Sequence, residues 1–564
     1  MVFKRSCSLK EIAKSKSSLS LCGLENADIR NVVKSMGYSD DDLSSGRPVI
    51  GIANSWNTLV PGHYNLRELA EQVKKGIHRA GGTAFEFGVI GLCDGFCKGS
   101  FNYVLPSREI ICDSIEVVAG ANPLDGIVML GSCDKIVPGM LMAAARLDIP
   151  TIILNGGPSL RGSEGAVGVA EALGMYKSGK ISLEEYKKLE DLSCPTCGSC
   201  WFMGTANTMC CLAEAIGMTL TDAAAIPAVF AERLRLAEQT GEAICNLVQK
   251  GITARDIITR QSLENAVKVC LAIGGSTNAV LHLSALAREA EIDINILNTF
   301  ENYSKNIPTI ADVYPSGNAD MQSFWQAGGM PRVIDRLQAD LNLDVITTTS
   351  RTMRENIQSY CYRFPANDKV ITTIERPFNA TGALAVLRGN LAPHTGISKP
   401  SAIDPEVRNF TGTAVVFDSE EAANQAILAG RIKAGDVLVI RYEGPKGGPG
   451  MVEMFRAMKY LRGMELHKST AVVTDGRFSG TNSGCFVGHI SPEASEGGPI
   501  AIVENGDKIS IDVLNGTLHL HVSDAEIAHR LKTWQKPAPK AIKGYLAFYS
   551  RFASSADEGA VLKF

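Results

Sequence analysis

The sequence predicts an α/β protein in two parts: an N-terminal domain with a mostly parallel sheet flanked by helices, and a C-terminal β-rich, barrel-like domain. Three observations lead there. From about residue 48 to 154, short apolar runs alternate with segments of helical apolar spacing. From about 200 to 290 the chain is rich in Ala, Leu and Met at helical periodicity. Past about 375, short apolar runs follow one another between Gly-rich turns.

In order, Pro48 to Ala53, Phe85 to Ile90, Gly126 to Leu130 and Thr151 to Leu154 read as strands. Leu66 to Ala80, Ser107 to Ala119 and Gly139 to Leu147 read as the helices between them, with Gly, Pro and Asn at the joints. Such alternation gives a parallel sheet, and ligands gather at the loops leaving the carboxyl ends of its strands. Cys93-Asp94-Gly95 and Ser132-Cys133-Asp134-Lys135 sit at two such ends. Thr205 to Met218 and Ala279 to Glu291 read as helices, the second with Ser276 and Thr277 as N-caps. In the second part, Gly412 to Phe417, Asp436 to Ile440, Ala471 to Thr474, Ile500 to Val503, Lys508 to Asp512 and Leu518 to Val522 read as strands. The boundary is expected in the Pro377 to Gly382 stretch, dividing residues 1–376 from 377–564.

Composition excludes several classes of function. With 564 residues, 45% apolar and 21% charged, the chain has ample core for two domains and no disorder signature. A net charge of −4 with scattered basic residues leaves no field for nucleic acid. The longest apolar stretch, Met140 to Leu154, is interrupted by Arg146, Asp148 and Pro150, well short of the roughly 20 residues a membrane span needs. The basic, serine-containing start (Lys4, Arg5, Lys10, Lys14, Lys16) faintly resembles a transit peptide, but Glu11 counts against it. A cytoplasmic protein beginning in a helix is expected.

Chemistry concentrates in the cysteines. Of the 15, Cys194, Cys197 and Cys200 form a C-x2-C-x2-C run, a spacing that lets thiolates converge while Pro and Gly keep the loop tight. These look like iron–sulfur ligands. A structural zinc site would show a second Cys/His pair at short spacing; Cys210 and Cys211 follow instead in what reads as an apolar helix, and Cys245 and Cys270 read as buried packing residues. Val439 to Glu453 is a strand entering a loop with glycines at 444, 447, 448 and 450. Without Gly-Lys-Ser/Thr, and with two prolines removing donors, it reads less as a phosphate cradle than as a loop bringing backbone and Glu453 to a ligand. Thr474-Asp-Gly-Arg-Phe-Ser-Gly480 follows another strand and presents Ser479.

Taken together, Cys133-Asp-Lys-Ile-Val-Pro-Gly-Met, Ser193-Cys-Pro-Thr-Cys-Gly-Ser-Cys200 with Gly204-Thr-Ala-Asn-Thr-Met209, Gly274-Gly-Ser-Thr-Asn278, Arg441-Tyr-Glu-Gly-Pro-Lys-Gly-Gly-Pro-Gly-Met451 and Thr474 to Gly480 resemble the dihydroxyacid dehydratase and phosphogluconate dehydratase family. Leu105-Pro-Ser-Arg-Glu109 and Gly488-His-Ile-Ser-Pro-Glu493 add to it, in order, from about Arg47 onward. The resemblance implies dehydration of a 2,3-dihydroxy carboxylate to a 2-keto acid. It implies that Cys133 and Cys200 bind an iron–sulfur cluster acting as Lewis acid toward the 3-hydroxyl. It also implies Mg²⁺ held by Asp94, Asp134, Glu453 and Lys135 as a carbamate, with Ser479 as the base at C2. A homodimer or larger symmetric assembly is implied as well.

Two departures stand out. Some branches carry a third cluster cysteine at the end of Ser-Trp-Asn-x-x-x-Pro-Cys; here Ser55-Trp-Asn-Thr-Leu-Val-Pro61 is followed by Gly62. That resembles the branch with an oxygen-sensitive [4Fe–4S] cluster, favoured here over [2Fe–2S]. Cys194 or Cys197 are candidates for the third thiolate, Cys194 foremost, with Cys97 a further option. The loop Asp94-Gly-Phe-Cys-Lys-Gly-Ser-Phe-Asn-Tyr103 is shorter than the family's, and Pro315 to Met321 lacks its usual His-Met-Glu-Asp. The expected substrate is 2,3-dihydroxyisovalerate, giving 2-ketoisovalerate in branched-chain amino-acid biosynthesis. The alternatives are an aldonate, whose hydroxyls would need partners such as Lys98, Ser100 or Asn102, and a non-catalytic iron–sulfur sensor, which would have no use for a magnesium shell or a base.

Overall fold

A computed structural model describes residues 16–44, 46–97, 99–162, 168–478 and 484–563. Strands β1 (Val49–Asn54), β2 (Thr83–Gly88), β3 (Gly126–Leu130) and β4 (Thr151–Leu154) form one parallel sheet in the order β2-β1-β3-β4. The register pairs Ile50 with Ala84 on one side and Gly126 on the other. Every residue of β1, β3 and β4 is buried, because helices cover both faces. That is why these strands read as unbroken apolar runs, whereas edge strand β2 alternates half-buried and exposed positions after its first two residues. The helix Leu66–Arg79 lies against Ala231–Lys250, and Ser107–Ala121 against Ile136–Leu147.

The second part is a closed barrel. Its strands are β5 (Ala385–Gly389), β6 (Ala392–Ser398), β7 (Asn409–Phe417), β8 (Asp436–Ile440), β9 (Ala471–Thr474), β10 (Cys485–Ser491), β11 (Lys508–Asp512) and β12 (Thr517–Leu520). They close in the order β10-β6-β5-β12-β11-β7-β8-β9. Pairing is mixed: β7, β8, β9 and β10 run parallel, as do β5 and β12, while the remaining pairs are antiparallel. Closure removes exposed edges. Val437, Val439, Val473, Val487, Ile509, Ile511, Leu518 and Leu520 meet in the apolar core of this part.

The α/β class with a second, barrel domain is as expected, and three local readings are corrected. Ile500 to Val503 is not a strand: Pro499–Ile502 is a 3₁₀ turn, because Pro499 lacks a ladder N–H and presets φ for a first helical turn. Its apolar residues are buried all the same, which is the signal that misled. Strands β5, β6 and β10 were not anticipated, since Gly389, Pro393, Gly396 and Gly488 interrupt the pattern. Thr277 stands at the N-cap of Asn278–Glu289 without capping it; its hydroxyl donates instead to the carbonyl of Phe478 in the barrel. Of the basic N-terminal stretch only the part from Lys16 is described, and it forms the helix Lys16–Leu21. Among the described residues no helix is long and apolar enough to cross a membrane. As expected, Cys210 and Cys211 lie buried in a helix (Thr205–Ile216), and Cys245 and Cys270 are buried in theirs.

Candidate active site

All four strands of the parallel sheet deliver their carboxyl ends to one place. β1 leads into the turn Pro61–His63, β2 into Cys93 and Asp94, and β3 into Cys133, Asp134 and Lys135. Beyond β4, Gly157 to Ser159 pair with Ser199: Ser159 N–H donates to the Ser199 carbonyl at 2.8 Å and Ser199 N–H to that of Gly157 at 3.0 Å. This pairing docks the cysteine run. His63 ties two of the loops together. Its Nδ1–H donates to the Ser55 carbonyl at 2.8 Å, and its Nε2 accepts the backbone N–H groups of Ser132 at 3.2 Å and Cys133 at 3.4 Å. Those roles require the neutral ring, and burial pushes its pKa down to about 4.

The barrel supplies the opposite wall from the carboxyl ends of two adjacent parallel strands. Glu453 follows β8 and Arg477 follows β9, and the two residues form a β-bridge. Carboxylate oxygens of Asp94, Asp134 and Glu453 all lie within 4.8 Å of one another. Lys135, buried, stands 3.0 Å from Asp134 Oδ2 and 3.6 Å from Asp94 Oδ2. Arg477 Nη1 is 2.8 Å from Glu453 Oε2, and Asn278 Nδ2 donates to the same oxygen at 3.4 Å. Burial, reinforced by the Asp134 charge, pushes Asp94 well above the usual carboxylate range. Asp134 is also desolvated, but the Lys135 charge and hydrogen bond outweigh that and hold it below.

Unsatisfied polar atoms gather here. Both oxygens of Asp94, Arg477 Nη2, Asn278 Oδ1, His282 Nε2 and both ring nitrogens of His489 are buried without a hydrogen-bond partner. Each such atom costs about 1–3 kcal/mol, so a concentration of them beside converging carboxylates marks a place built for a cation or a polar ligand. Oxygen donors in this number suit a hard divalent ion.

Thiols line the neighbouring side. Cys133 is buried and shares a thiol–thiol hydrogen bond with Cys93, whose backbone carbonyl receives the Phe96 N–H at 3.0 Å. That hydrogen bond lowers Cys93 below the usual thiol value, and the same bond, together with burial, raises Cys133. Cys200 lies within electrostatic reach of Asp134, Cys93, Cys194 and Asp94, so carboxylates and thiols share one site. Cys194 faces Cys93 in turn. Cys197 lies within electrostatic reach of Glu68, and Cys97 packs against the apolar cluster that includes Phe101 and Val104.

The glycine-rich loop after β8 is not free to cradle a phosphate. The N–H groups of Lys446 and Gly447 donate to Glu493 at 2.9 and 2.8 Å, so an internal carboxylate occupies them. Asp475 likewise accepts from the N–H groups of Tyr442, Glu443 and Ala494. Gly450, at φ +87°, passes so close to the Asn102 carbonyl that a Cβ would stand 2.0 Å from it. The Asn102 amide is committed to the carbonyls of Gly448 and Pro449 at 2.6 and 2.8 Å and has no donor left for a substrate hydroxyl.

Asp94, Asp134, Lys135 and Glu453 are thus brought together, with Cys133, Cys200 and Cys194 beside them. Ser479 and Lys98 lie outside the described residues. Arg477, Asn278, His489 and Cys93 had no role assigned from sequence. All four lie within or beside quoted motifs, but nothing in their spacing announces that their side chains converge.

Fold and site define a two-domain protein in which two sets of parallel strand ends face each other across a cluster of carboxylates and thiols. The chain belongs to the dihydroxy-acid/6-phosphogluconate dehydratase family: the family's N-terminal domain matches residues 47–356 and its C-terminal domain residues 369–560. Members are dehydratases, a class of hydro-lyase. A dihydroxy-acid dehydratase of Acetivibrio thermocellus is 49% identical over 550 residues, covering 96% of this chain and 98% of the relative. Those of Pyrococcus furiosus and Methanosarcina barkeri are 48% and 47% identical, with the same coverage.

Proposed function

We propose that the protein dehydrates a 2,3-dihydroxy carboxylic acid to a 2-keto acid, with 2,3-dihydroxyisovalerate converted to 2-ketoisovalerate and water in branched-chain amino-acid biosynthesis. The observation that carries this reading is the convergence of Asp94, Asp134 and Glu453, with both Asp94 oxygens lacking a hydrogen-bond partner, against the thiols of Cys133 and Cys200. Near-full-length similarity to proteins named dihydroxy-acid dehydratases supports it.

The donor set fits two inorganic groups. Asp94, Asp134 and Glu453 would hold Mg²⁺, joined by Lys135 as a carbamate; Nζ already stands between two of the carboxylates. Cys133 and Cys200 would hold an iron–sulfur cluster, [4Fe–4S] by preference, with Cys194 and Cys93 both facing them as contenders for a third place. When bound, these groups supply Lewis acidity toward the carboxylate and C2 oxygen on one side and the C3 hydroxyl on the other.

The chain's own residues do the rest. Arg477 and Asn278 fix the Glu453 carboxylate, and the unpaired Nη2 of Arg477 and the ring nitrogens of His489 are available to an anionic substrate. Ser479, two residues beyond Arg477, would accept the C2 proton as the C3 hydroxyl leaves, and the resulting enol tautomerises to the keto acid. A serine hydroxyl is a weak base, so this role demands positive charge close by.

The test is anaerobic turnover of the cluster-reconstituted, Mg²⁺-supplied enzyme with 2,3-dihydroxyisovalerate and, in parallel, a panel of aldonates, following 2-keto acid. Preference for dihydroxyisovalerate is expected. Preference for an aldonate would move the protein to sugar-acid chemistry, and no turnover of either class would sink the reading.

A further inference from the structure

We infer that Cys93 supplies the third protein thiolate to the iron–sulfur cluster, beside Cys133 and Cys200; this rests on the cluster reading above. Position 62, after β1, is where a third ligand would be reached most directly. A Cβ built on Gly62 stands 2.9 Å from Cys133 Sγ and 3.2 Å from the backbone nitrogen of Ser199, next to Cys200. Glycine offers nothing there, so another element must fill the place.

Among the neighbouring cysteines, Cys93 is in direct thiol contact with Cys133. It also stands in the chain as Cys133 does, one residue before a carboxylate of the cation site, and the oxygens of Asp94 and Asp134 that follow the two cysteines lie within 4.8 Å of each other. Its loop leaves β2 and goes on at once to Asp94, so one short segment would serve both the cluster and the divalent ion. Cys97 packs into an apolar cluster and Cys197 lies within electrostatic reach of Glu68. Cys194 faces the same centre by way of Cys93, without the direct thiol contact to Cys133 that Cys93 makes. Three thiolates leave one iron of a [4Fe–4S] cluster without a protein ligand, as an open site for a hydroxyl requires. On cluster binding each of the three thiols gives up its proton to solvent.

The experiment compares the full-length protein with Cys93→Ala and Cys194→Ala after anaerobic reconstitution. Iron and acid-labile sulfide per chain, and the electron paramagnetic resonance of the reduced cluster, are the readouts. Cys93→Ala should lose at least about ten-fold in bound iron and sulfide, while Cys194→Ala should match the unsubstituted protein. Alkylation of the unsubstituted protein avoids any question of folding: Cys93 should be protected in the cluster-bound form and labelled in the apo form. Full cluster content in Cys93→Ala, loss of the cluster in Cys194→Ala instead, or equal labelling of Cys93 in both forms would each overturn the inference. So would failure of the unsubstituted protein to take up iron and sulfide. A protein that binds its cluster through Cys93 yet turns over no dihydroxy acid would refute the proposed substrate and leave the ligand assignment standing.

Discussion

Both oxygens of Asp94 are buried without a hydrogen-bond partner, with Lys135 Nζ 3.6 Å from Oδ2, and lie close to the negative charges of Asp134 and Glu453. A residue so placed pays in stability for something it does when a cation is present. Asp94→Asn should therefore stabilise the metal-free protein by on the order of 1–3 kcal/mol, seen as a higher thermal midpoint, while lowering turnover about 100-fold or more. Calorimetry in chelator alongside the keto-acid assay checks both halves, and a destabilised variant would mean the charge is already compensated. Arg477 is the opposite case: its Nη1 and Nε hold Glu453 and the Met451 carbonyl with no exposure. Arg477→Met would strand Glu453 among like charges and should cost about 3–5 kcal/mol, read from urea unfolding. Sequence made Asp94, Asp134 and Glu453 legible because each sits just past a recognisable strand inside a long motif. Cys93 and His489 were not, because their value lies in atoms that approach from other loops.

Among the elements, the buried strands were readable and the bent ones were not. β3 and β4 are apolar throughout because both faces are covered, and their limits follow directly from the sequence. β10 runs through Gly488 and through His489 at φ +57°, with an irregular register against β6, so no alternation survives to be read. The loop after β8 was recognisable as a close-approach loop from its glycines. What fills its amides, Glu493, comes from past β10 and could only be seen in space. Gly450 is where this element is least tolerant. A Cβ there meets the Asn102 carbonyl at 2.0 Å and imposes a left-handed φ on an L-residue. Gly450→Ala should cost at least about 1–2 kcal/mol from the backbone alone. It should also reduce turnover by pulling the loop that ends in Glu453 off the N-terminal domain. Thermal unfolding and the kinetic assay on the one variant test this, and unchanged values would show that the two loops move apart freely.

At the scale of the molecule, the site exists only because the two domains hold each other in place. Thr277 reaches the Phe478 carbonyl, Arg108 donates to the carbonyls of Gly559 and Ala560 at 2.9 and 3.1 Å, and Lys399, just past β6, donates to that of Gly274 at 2.7 Å. Lys399 is the revealing member. Its amine is buried, and burial pushes its pKa down to about 7 from 10.5. Between those two values the folded chain binds fewer protons than the unfolded one, so stability rises with pH. The stability this group contributes is present above 10.5 and is lost as pH falls toward 7, at up to about 1.4 kcal/mol per pH unit. Lys399→Met removes the ionisable group and keeps most of the volume. Near pH 7 the variant should match or exceed the parent in urea unfolding, and by about pH 9 the parent should have gained on it, since its neutral amine then keeps the Gly274 bond without the cost of a buried charge. A gap that stays constant with pH would mean the ammonium is charged throughout and paired at the junction. The segment from Gly274 leads directly to Asn278 and its contact with Glu453, so any loss of turnover in the variant measures how far this interdomain bond sets the geometry of the carboxylate site.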